Sequence, residues 1–334
     1  MGAFGGIRMK VLITGITGFA GSHLAELYLK EGADVHGTIR WRSDMSNIRD
    51  FADQLTLHNC DIRDAYSVAK TVEEVKPEFI HHLAAQTFVL ESWRAPQETL
   101  STNIMGTLNI LEAARKHPCI VHLSGSSEEY GAPILPADLP ITEEQKLQPV
   151  SPYAVSKVAA DMLAVQYAKS YGIKVVVTRA FNHTGPRRGE VFVTSTFAKQ
   201  IARILAGKQE SVIEHGNLEA IRDFTDVRDI VIGYFFAAQY MIAGSPTAPL
   251  SRDYERFNLC SGEGRSMMQV LQTLLDIAGI KGIRLREDPK RMRPSDVPIL
   301  IGSNQKAREK LRWSPVIPFE ATMKDLLEYW KERV

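Results

Sequence analysis

Short runs of β-branched and apolar residues alternate with segments of helical period over the first half of the chain. The run KVLITG at residues 10–15 precedes the helical segment SHLAELYLKEG. The rhythm continues through FIHHLAA, TLNILEAARK and IVHLSGS to a helix from Pro152 to Tyr171 and the run KVVVTRAFN. Such alternation is typical of βαβ units, which place parallel strands in one sheet with helices on both faces. The sequence therefore predicts an α/β fold with a doubly wound parallel sheet.

The length of the chain indicates a second unit. Its 334 residues exceed the ~100–200 residues of a usual domain, and the alternation breaks after Phe181. We expect residues 10–180 to form a Rossmann domain. We expect residues 181–334 to form a smaller C-terminal α/β region that mainly binds the substrate, with elements that return to the sheet. Residues 1–9 are predicted to be a disordered extension.

The amino-acid composition gives no sign of a nucleic-acid partner, a membrane span, a zinc site or a disulfide framework. Lys and Arg number 40 against 39 Asp and Glu, so charge gives no reason to expect nucleic-acid binding. No apolar stretch reaches the ~20 residues of a membrane span. Cys60, Cys119 and Cys260 are widely separated, which indicates neither a zinc site nor a disulfide framework. We therefore expect a cytoplasmic protein with reduced thiols and without a metal site.

A glycine-rich turn follows the first predicted strand. In VLITGITGFAGSHL, glycines stand at positions 15, 18 and 21, where they permit a tight turn and let backbone N–H groups approach a pyrophosphate at a helix N-terminus. The spacing is a variant of the dinucleotide fingerprint. The residues that we expect to contact a dinucleotide here are Gly15, Thr17, Gly18, Phe19, Ala20 and Gly21.

The end of the second strand indicates which dinucleotide binds. NAD sites usually carry Asp or Glu here, whereas DVHGTIRWRS offers Arg40, Arg42 and Ser43. Guanidinium groups suit a 2′-phosphate, so we predict NADP as the cofactor; the alternative is that the arginines are simply solvated. Cofactor contacts are also expected after the third and fourth strands, from Asp61 and Ile62 near the adenine and from Leu83, Ala84 and Ala85.

A pair of residues at the start of a helix suggests proton transfer. In SPYAVSK, Tyr153 and Lys157 are four residues apart and so share one helix face. Lowering a tyrosine pKa from ~10 to ~7 requires about 4 kcal/mol, which the lysine ammonium and a nicotinamide cation can supply. The stretch LSGSSEEYGAP, after a predicted strand, adds Ser126 and Glu128.

These motifs together resemble the extended short-chain dehydrogenase/reductase family, over essentially the whole chain. That family binds a nucleotide-sugar in its C-terminal region and oxidises or reduces the C4 carbon. The resemblance implies that Tyr153 is the general base, that Lys157 positions it and lowers its pKa, and that Ser126 hydrogen-bonds the C4 oxygen. Both Tyr153 and Lys157 would also contact the cofactor.

Within that family, RAFNHTGPRRGEVFVTSTFAKQIARI, LAAQTFV and RWRS resemble the GDP-mannose 4,6-dehydratases. This resemblance implies that His183 and Arg188 contact the cofactor. The residues that it implies for the GDP-sugar are Gln86, Ser127, Asn182, Val193, Lys199, Asn217, Arg222, Arg293 and Asp296.

Other stretches resemble the GDP-4-keto-6-deoxymannose reductases: GSSEEYG, GNLEAIRDFTDVRDIV and RPSDVPILIGSN. Phe19 and Ala20 also replace the usual Gln-Asp of the dehydratases, and Ser126 replaces their Thr. A dehydratase oxidises C4, eliminates water across C5 and C6, and returns hydride to C6, so it needs an acid/base besides tyrosine. Glu128 is placed to supply it, which favours the dehydratase.

Three alternatives stay open. A reductase would need only Ser126, Tyr153 and Lys157, with NADPH consumed to form GDP-6-deoxymannose. The others are a different nucleotide-sugar epimerase or dehydratase and a non-catalytic NADP-binding regulator. Glu129 is expected to have a solvated or structural role.

The resemblance also implies a homodimer through the helices GTLNILEAAR and YAVSKVAADMLAVQYAKS. In the dehydratases the basic loop around Arg42 contributes to a homotetramer. The alternative for the helices is that their apolar faces only cover the sheet.

Overall fold

The computed structural model describes residues 9–132, 135–243, 253–292, 294 and 297–334. Residues 1–8 of the predicted extension lie outside the described residues, as do two predicted sugar ligands, Arg293 and Asp296.

The centre of the molecule is a seven-stranded sheet in the order β10-β6-β5-β4-β1-β2-β3. Each neighbouring pair of its strands is parallel. The strands of this sheet are β1 (Lys10–Thr14), β2 (Asp34–Ile39), β3 (Thr56–Asn59), β4 (Phe79–His82), β5 (Ile120–Ser124), β6 (Val175–Ala180) and, later in the chain, β10 (Tyr254–Leu259). The predicted doubly wound parallel sheet is confirmed. Its order reverses between β1 and β4, and ligands of such sheets bind at this point, beyond the carboxyl ends of the strands.

Helices cover both faces of the sheet because successive strand residues point to opposite sides. On one face Val11 and Ile13 pack with α1 and α8; on the other, Leu12 packs with α2, α5 and α6. The helices are α1 (Phe19–Lys30), α2 (Ala65–Val75), α3 (Val89–Arg94), α4 (Pro96–Leu100), α5 (Gly106–Lys116), α6 (Pro152–Tyr171), α7 (Val193–Leu205), α8 (Val227–Ala243), α9 (Met267–Ala278), α10 (Gln305–Leu311) and α11 (Phe319–Lys331).

The C-terminal part of the chain builds a separate core from α7, α9 and α11. Its strands are β7 (Asn182–Thr184), β8 (Val212–His215), β9 (Ile221–Asp226), β11 (Gly264–Ser266), β12 (Arg284–Glu287) and β13 (Ile299–Leu300). Strand β9 pairs with β7, β11 and β13, and β8 pairs with β12. Strand β10 returns to the central sheet beside β6. The boundary between residues 180 and 181 stays a prediction. Among the described residues, none of the helices is long and apolar enough to span a bilayer.

A chain of polar side chains crosses the middle of the sheet. The Tyr28 hydroxyl lies 2.6 Å from His81 Nε2, His81 Nδ1 lies 2.9 Å from His122 Nδ1, and His122 Nε2 lies 2.8 Å from Thr178 Oγ1. All four side chains are buried. Burial lowers the pKa of His81 to about 3 and lowers that of His122 well below its usual value, so both imidazoles are neutral.

These neutral histidines make stability depend on pH. Unfolded histidine has a pKa of about 6.5, so between pH 6.5 and 3 the unfolded chain binds protons that folded His81 does not. We expect the free energy of unfolding to fall below pH 6.5, by about 1.4 kcal/mol per pH unit for each such histidine. In His81→Gln that slope should be smaller by about this amount. Urea unfolding between pH 7 and 4 measures it, and equal slopes for the two proteins would contradict the assignment.

Candidate active site

A cavity of about 600 Å³ opens at the carboxyl ends of the central strands. Its size lies within the range of small-molecule sites. It brings together the four predicted catalytic residues and every predicted cofactor residue except Arg42. Of the predicted sugar ligands, Gln86, Ser127 and Asn182 line it.

The glycine turn forms one wall of the cavity. Gly15 has φ +70°, and a Cβ at Gly21 would lie 2.3 Å from the Gly15 carbonyl oxygen, so the first turn of α1 packs directly on the turn. The Gly18 N–H donates to this same oxygen at 2.9 Å. The N-terminus of α1 thus faces the cavity without an intervening side chain at positions 15, 18 and 21. This arrangement fits a pyrophosphate, which backbone N–H groups at a helix N-terminus bind well.

Only some residues of the cationic loop after β2 line the cavity. Arg40 and Ser43 line it, and they are fixed to each other because the Arg40 N–H donates to Ser43 Oγ at 2.9 Å. Arg42 instead lies over the exposed Trp41 ring, 4.1 Å from its centroid. Arg63, which was not predicted from the sequence, is a further cation of the cavity wall. It pairs with Asp61 at 2.7 Å and lowers the pKa of that carboxyl group.

Helix α6 presents Tyr153 and Lys157 to the cavity from its first two turns. The helix begins with Pro152, and the Ser151 hydroxyl caps it by accepting the Ala154 N–H; both features favour a helix start at this point. Lys157 Nζ donates to the Ser124 carbonyl oxygen at 2.7 Å, which fixes α6 to the end of β5. The same Nζ lies 5.9 Å from the centroid of the Tyr153 ring.

Burial governs the proton affinities of this pair. It raises the pKa of Tyr153, although a hydrogen bond with Ser126 and the Arg188 charge oppose the shift. Burial also lowers the pKa of Lys157 to about 8. The surrounding side chains therefore do not by themselves produce the lowered tyrosine pKa expected from the sequence, because the loss of water outweighs the nearby cation.

Ser126 and Glu128 lie in the loop that follows β5. Ser126 Oγ accepts the Glu128 N–H at 3.2 Å, and the short 3₁₀ turn Ser127–Glu129 follows. Glu128 is half-buried and lines the cavity. Glu129 is fully buried and forms an ion pair with Arg179. Of the two roles expected for it, this position fits the structural one and does not fit the solvated one.

An aromatic clamp surrounds Arg188. Its guanidinium carbon lies 3.5 Å from the centroid of the Phe192 ring and 4.9 Å from that of Phe19. The His183 ring stacks on Phe19, with centroids 5.8 Å apart and planes 7° apart. Burial lowers the pKa of Arg188 only to about 10 and that of His183 to about 4, so the arginine stays charged and the histidine is neutral at pH 7.

Phe192 and Tyr234 also line the cavity, although the sequence analysis did not select them. Phe192 stands inside the FVT motif, where its position beside Val193 could have suggested a role. Tyr234 is a buried residue of apolar α8, and its hydroxyl lies 3.4 Å from Ser124 Oγ. The sequence around Tyr234 does not predict that it lines the cavity, since only the packing of α8 on β5 brings it there.

Four further predicted sugar ligands, Val193, Lys199, Asn217 and Arg222, do not line the cavity. Lys199 pairs with Glu190, and Arg222 is 5% exposed and donates to the Ile221 carbonyl oxygen. Val193 begins α7, and Asn217 is exposed. None of these four is among the residues that line the cavity of the described chain, and their roles stay predictions.

The Gln86 carboxamide donates to Thr99 Oγ1 at 2.9 Å.

Comparison with known proteins agrees with this geometry. The family model described as GDP-mannose 4,6 dehydratase matches residues 12–326. GDP-6-deoxy-D-mannose reductase of Pseudomonas aeruginosa is 33% identical over 98% of this chain and 99% of the relative. GDP-mannose 4,6-dehydratase of Yersinia enterocolitica is 34% identical over 93% of this chain and 91% of the relative. The structure of RMD from Pseudomonas aeruginosa complexed with NADPH has a TM-score of 0.81 at 30% identity, covering 98% of this chain and 100% of that one.

The predicted resemblance is thereby confirmed, both in the sequence of the whole chain and in its fold. The chain belongs to the GDP-mannose 4,6-dehydratase family of the extended short-chain dehydrogenases/reductases.

Proposed function

We propose that this protein is an NADP-dependent GDP-mannose 4,6-dehydratase that forms GDP-4-keto-6-deoxymannose. The observation that carries the proposal is the Glu128 carboxylate in the same cavity as Ser126, Tyr153 and Lys157. An elimination needs an acid/base besides the tyrosine, and Glu128 is the residue of this loop that can provide it.

Residues from several parts of the cavity wall would hold the cofactor. The backbone of residues 15–21 would hold the pyrophosphate, and Arg40 with Ser43 would hold the 2′-phosphate. Arg188 and His183 would contact the cofactor beside the glycine turn, since both pack on the Phe19 ring. When bound, NADP supplies the hydride acceptor for C4 and the hydride donor for C6.

The side chains divide the proton transfers between them. Tyr153 removes the C4 hydroxyl proton while Ser126, which hydrogen-bonds Tyr153, donates a hydrogen bond to the C4 oxygen. The ammonium of Lys157, anchored on the Ser124 carbonyl, favours the tyrosinate by its charge. Oxidation of C4 acidifies the C5 hydrogen, so Glu128 removes it as a proton and then protonates the leaving C6 hydroxyl group.

The second candidate is the 4-keto reductase, which the similarity to the Pseudomonas aeruginosa reductase favours. Here Tyr153 would donate a proton to the C4 ketone instead of removing one. Glu128 would then bind a sugar hydroxyl and take no part in proton transfer.

We further propose a cytoplasmic homodimer. Met105, Val155 and Met162 lie at or on α5 and α6 and are each 45% exposed, as expected for apolar residues that a second copy covers. The exposed Trp41 and Arg42 loop is the proposed contact of a tetramer. The three cysteines are free, which suits a reducing compartment.

The first test offers GDP-mannose to the purified protein without added reductant. The dehydratase returns the hydride taken from C4 to C6 of the same sugar after water has left, so we expect GDP-4-keto-6-deoxymannose to accumulate without net NADPH formation, as followed by mass spectrometry. The absence of this product, together with NADPH consumption when the keto-sugar is supplied, would reject the dehydratase in favour of the reductase.

The second test separates oxidation from elimination. Glu128→Gln keeps the side-chain volume but loses the base, so we expect water elimination to slow by about 10²–10⁴-fold while hydride transfer from C4 continues. Rapid-mixing absorbance at 340 nm, with product analysis, distinguishes the two steps. Tyr153→Phe is the control and should lose both. Elimination at the original rate in Glu128→Gln would remove Glu128 from the mechanism.

The third test compares two arginines of one loop. Arg40 lines the cavity and Arg42 does not, so Arg40→Ala should weaken NADP binding by about 10–100-fold and leave NAD binding unchanged. Arg42→Ala, as the matched control, should change neither. Dissociation constants from calorimetry decide the matter, and equal losses in the two variants would contradict our assignment of the 2′-phosphate site.

A further inference from the structure

The side chain of Gln86 makes its hydrogen bonds within the protein. Its Oε1 accepts the Phe88 N–H at 2.5 Å, and its Nε2 donates to the Phe88 carbonyl oxygen at 3.1 Å and to Thr99 Oγ1 at 2.9 Å. Thr99 is fully buried. A carboxamide nitrogen has two hydrogens to donate, and both therefore have acceptors inside the protein. The carboxamide predicted to bind the sugar instead holds the backbone of the residue two positions later.

The backbone of Gln86 is held in turn by Asn103. Asn103 Oδ1 accepts the Gln86 N–H at 2.8 Å, and Asn103 Nδ2 donates to the Gln86 carbonyl oxygen at 3.0 Å. The same Nδ2 donates to Ser156 Oγ at 2.8 Å, and Ser156 lies on α6 between Tyr153 and Lys157. Asn103 and Ser156 are each at most 2% exposed. The loop after β4 is thus tied to the helix that carries two of the predicted catalytic residues.

The loop after β4 brings Phe88 to a second aromatic ring. The centroids of Phe88 and Phe192 are 6.0 Å apart and their planes meet at 73°, an edge-to-face geometry that aromatic pairs prefer. Both rings line the cavity and are half-buried, whereas their neighbours Thr87 and Val191 are exposed. Phe88 follows β4 of the central sheet, and Phe192 directly precedes α7 of the C-terminal core. The two rings therefore bridge the cavity between two parts of the chain.

The order of the strands places this bridge between the glycine turn and the catalytic loop. Strand β4 lies between β1 and β5, so the loop after β4 lies between the glycine turn and the loop with Ser126. In the proposed function the pyrophosphate lies at the glycine turn, and the reacting end of the cofactor meets Ser126 and Tyr153. A cofactor that reaches from one to the other passes the end of β4. Phe192 also packs on Arg188, with 3.5 Å between the guanidinium carbon and the ring centroid, which fixes the second ring.

We propose that Phe88 and Phe192 close the cavity over the reacting end of bound NADP, and that Gln86 is a positioning residue that holds Phe88 there. Gln86 then does not bind the sugar. Closure by the two rings keeps water away from the hydride that is transferred. The inference rests on the placement of the cofactor in the proposed function. It applies to the dehydratase and to the reductase alike, since both transfer a hydride.

The first test measures how far solvent reaches bound NADPH. Acrylamide quenches the fluorescence of NADPH bound to the purified protein, with no sugar present. Phe88→Ala should raise the quenching constant by about 2–10-fold, the factor that corresponds to the loss of one aromatic pair. Gln86→Ala should raise it by a similar factor, although it leaves both rings in the chain. An unchanged constant in Phe88→Ala would overturn the closure, and an unchanged constant in Gln86→Ala would overturn the positioning role.

Val191→Ala is the matched control. Val191 is an exposed apolar residue beside Phe192 and is not among the described residues that line the cavity, so the quenching constant should stay as it is. Because the fluorescence is measured without sugar, the result is independent of whether the protein converts GDP-mannose. A failure of the closure is thereby distinguished from a failure of the proposed function.

A double-mutant cycle tests whether Gln86 acts through Phe88. If it does, Gln86→Ala combined with Phe88→Ala should give the same quenching constant and the same KM for the sugar as Phe88→Ala alone, because no ring is left to position. A side chain that binds the sugar itself would give independent losses that add in KM. Additive changes in KM would therefore overturn the positioning role.

Two milder variants apply if an alanine variant fails to fold. Gln86→Glu can still accept the Phe88 N–H but cannot donate to the Phe88 carbonyl oxygen, and Phe88→Leu keeps an apolar side chain without the ring. We expect both to raise the quenching constant of bound NADPH. A constant equal to that of the unaltered protein would contradict the positioning role in Gln86→Glu and the closure in Phe88→Leu.

Discussion

The hydrogen bond from Lys157 to the Ser124 carbonyl oxygen joins the two elements on which the site depends. Strand β5 ends at Ser124, and the loop with Ser126 and Glu128 begins there, while α6 carries Tyr153 one turn before Lys157. A carbonyl oxygen at a strand end can accept this donor because the parallel ladder no longer uses it. The same contact therefore anchors a helix, orients the ammonium and fixes the distance between the tyrosine and the serine loop.

On the opposite side of the cavity, close packing positions the residues more than hydrogen bonds to charged groups do. The glycine turn lets α1 approach β1, and Phe19, the first residue of that helix, then stands between His183 and Arg188. The replacement of Gln-Asp by Phe19 and Ala20, which set this sequence apart from the dehydratases it resembles, thus has a structural meaning here. The ring of Phe19 packs against the guanidinium of Arg188 in a cation–π contact.

Periodicity was sufficient to predict the sheet, since the alternation of strands and helices determines parallel βαβ units almost by itself. The glycine spacing and the Tyr153/Lys157 pair likewise located the cavity, because they are local patterns. A residue that reaches the cavity through tertiary packing could not be predicted in this way: Tyr234 comes from the distant helix α8. Phe192, by contrast, stands inside the FVT motif, and only its contact with Arg188 required the structure. The high proton affinity of Tyr153 was missed because burial depends on the whole fold.

The polar chain through the sheet constrains how this protein can change. Tyr28, His81, His122 and Thr178 belong to one helix and three neighbouring strands, and each side chain is the hydrogen-bond partner of the next. Replacing one of them by an apolar residue leaves its neighbour buried without a partner, whereas replacing all four together by a well-packed apolar set leaves none. A single apolar substitution at one of these four positions should therefore be less well tolerated than a simultaneous change of all four. The residues at these positions should covary across the family.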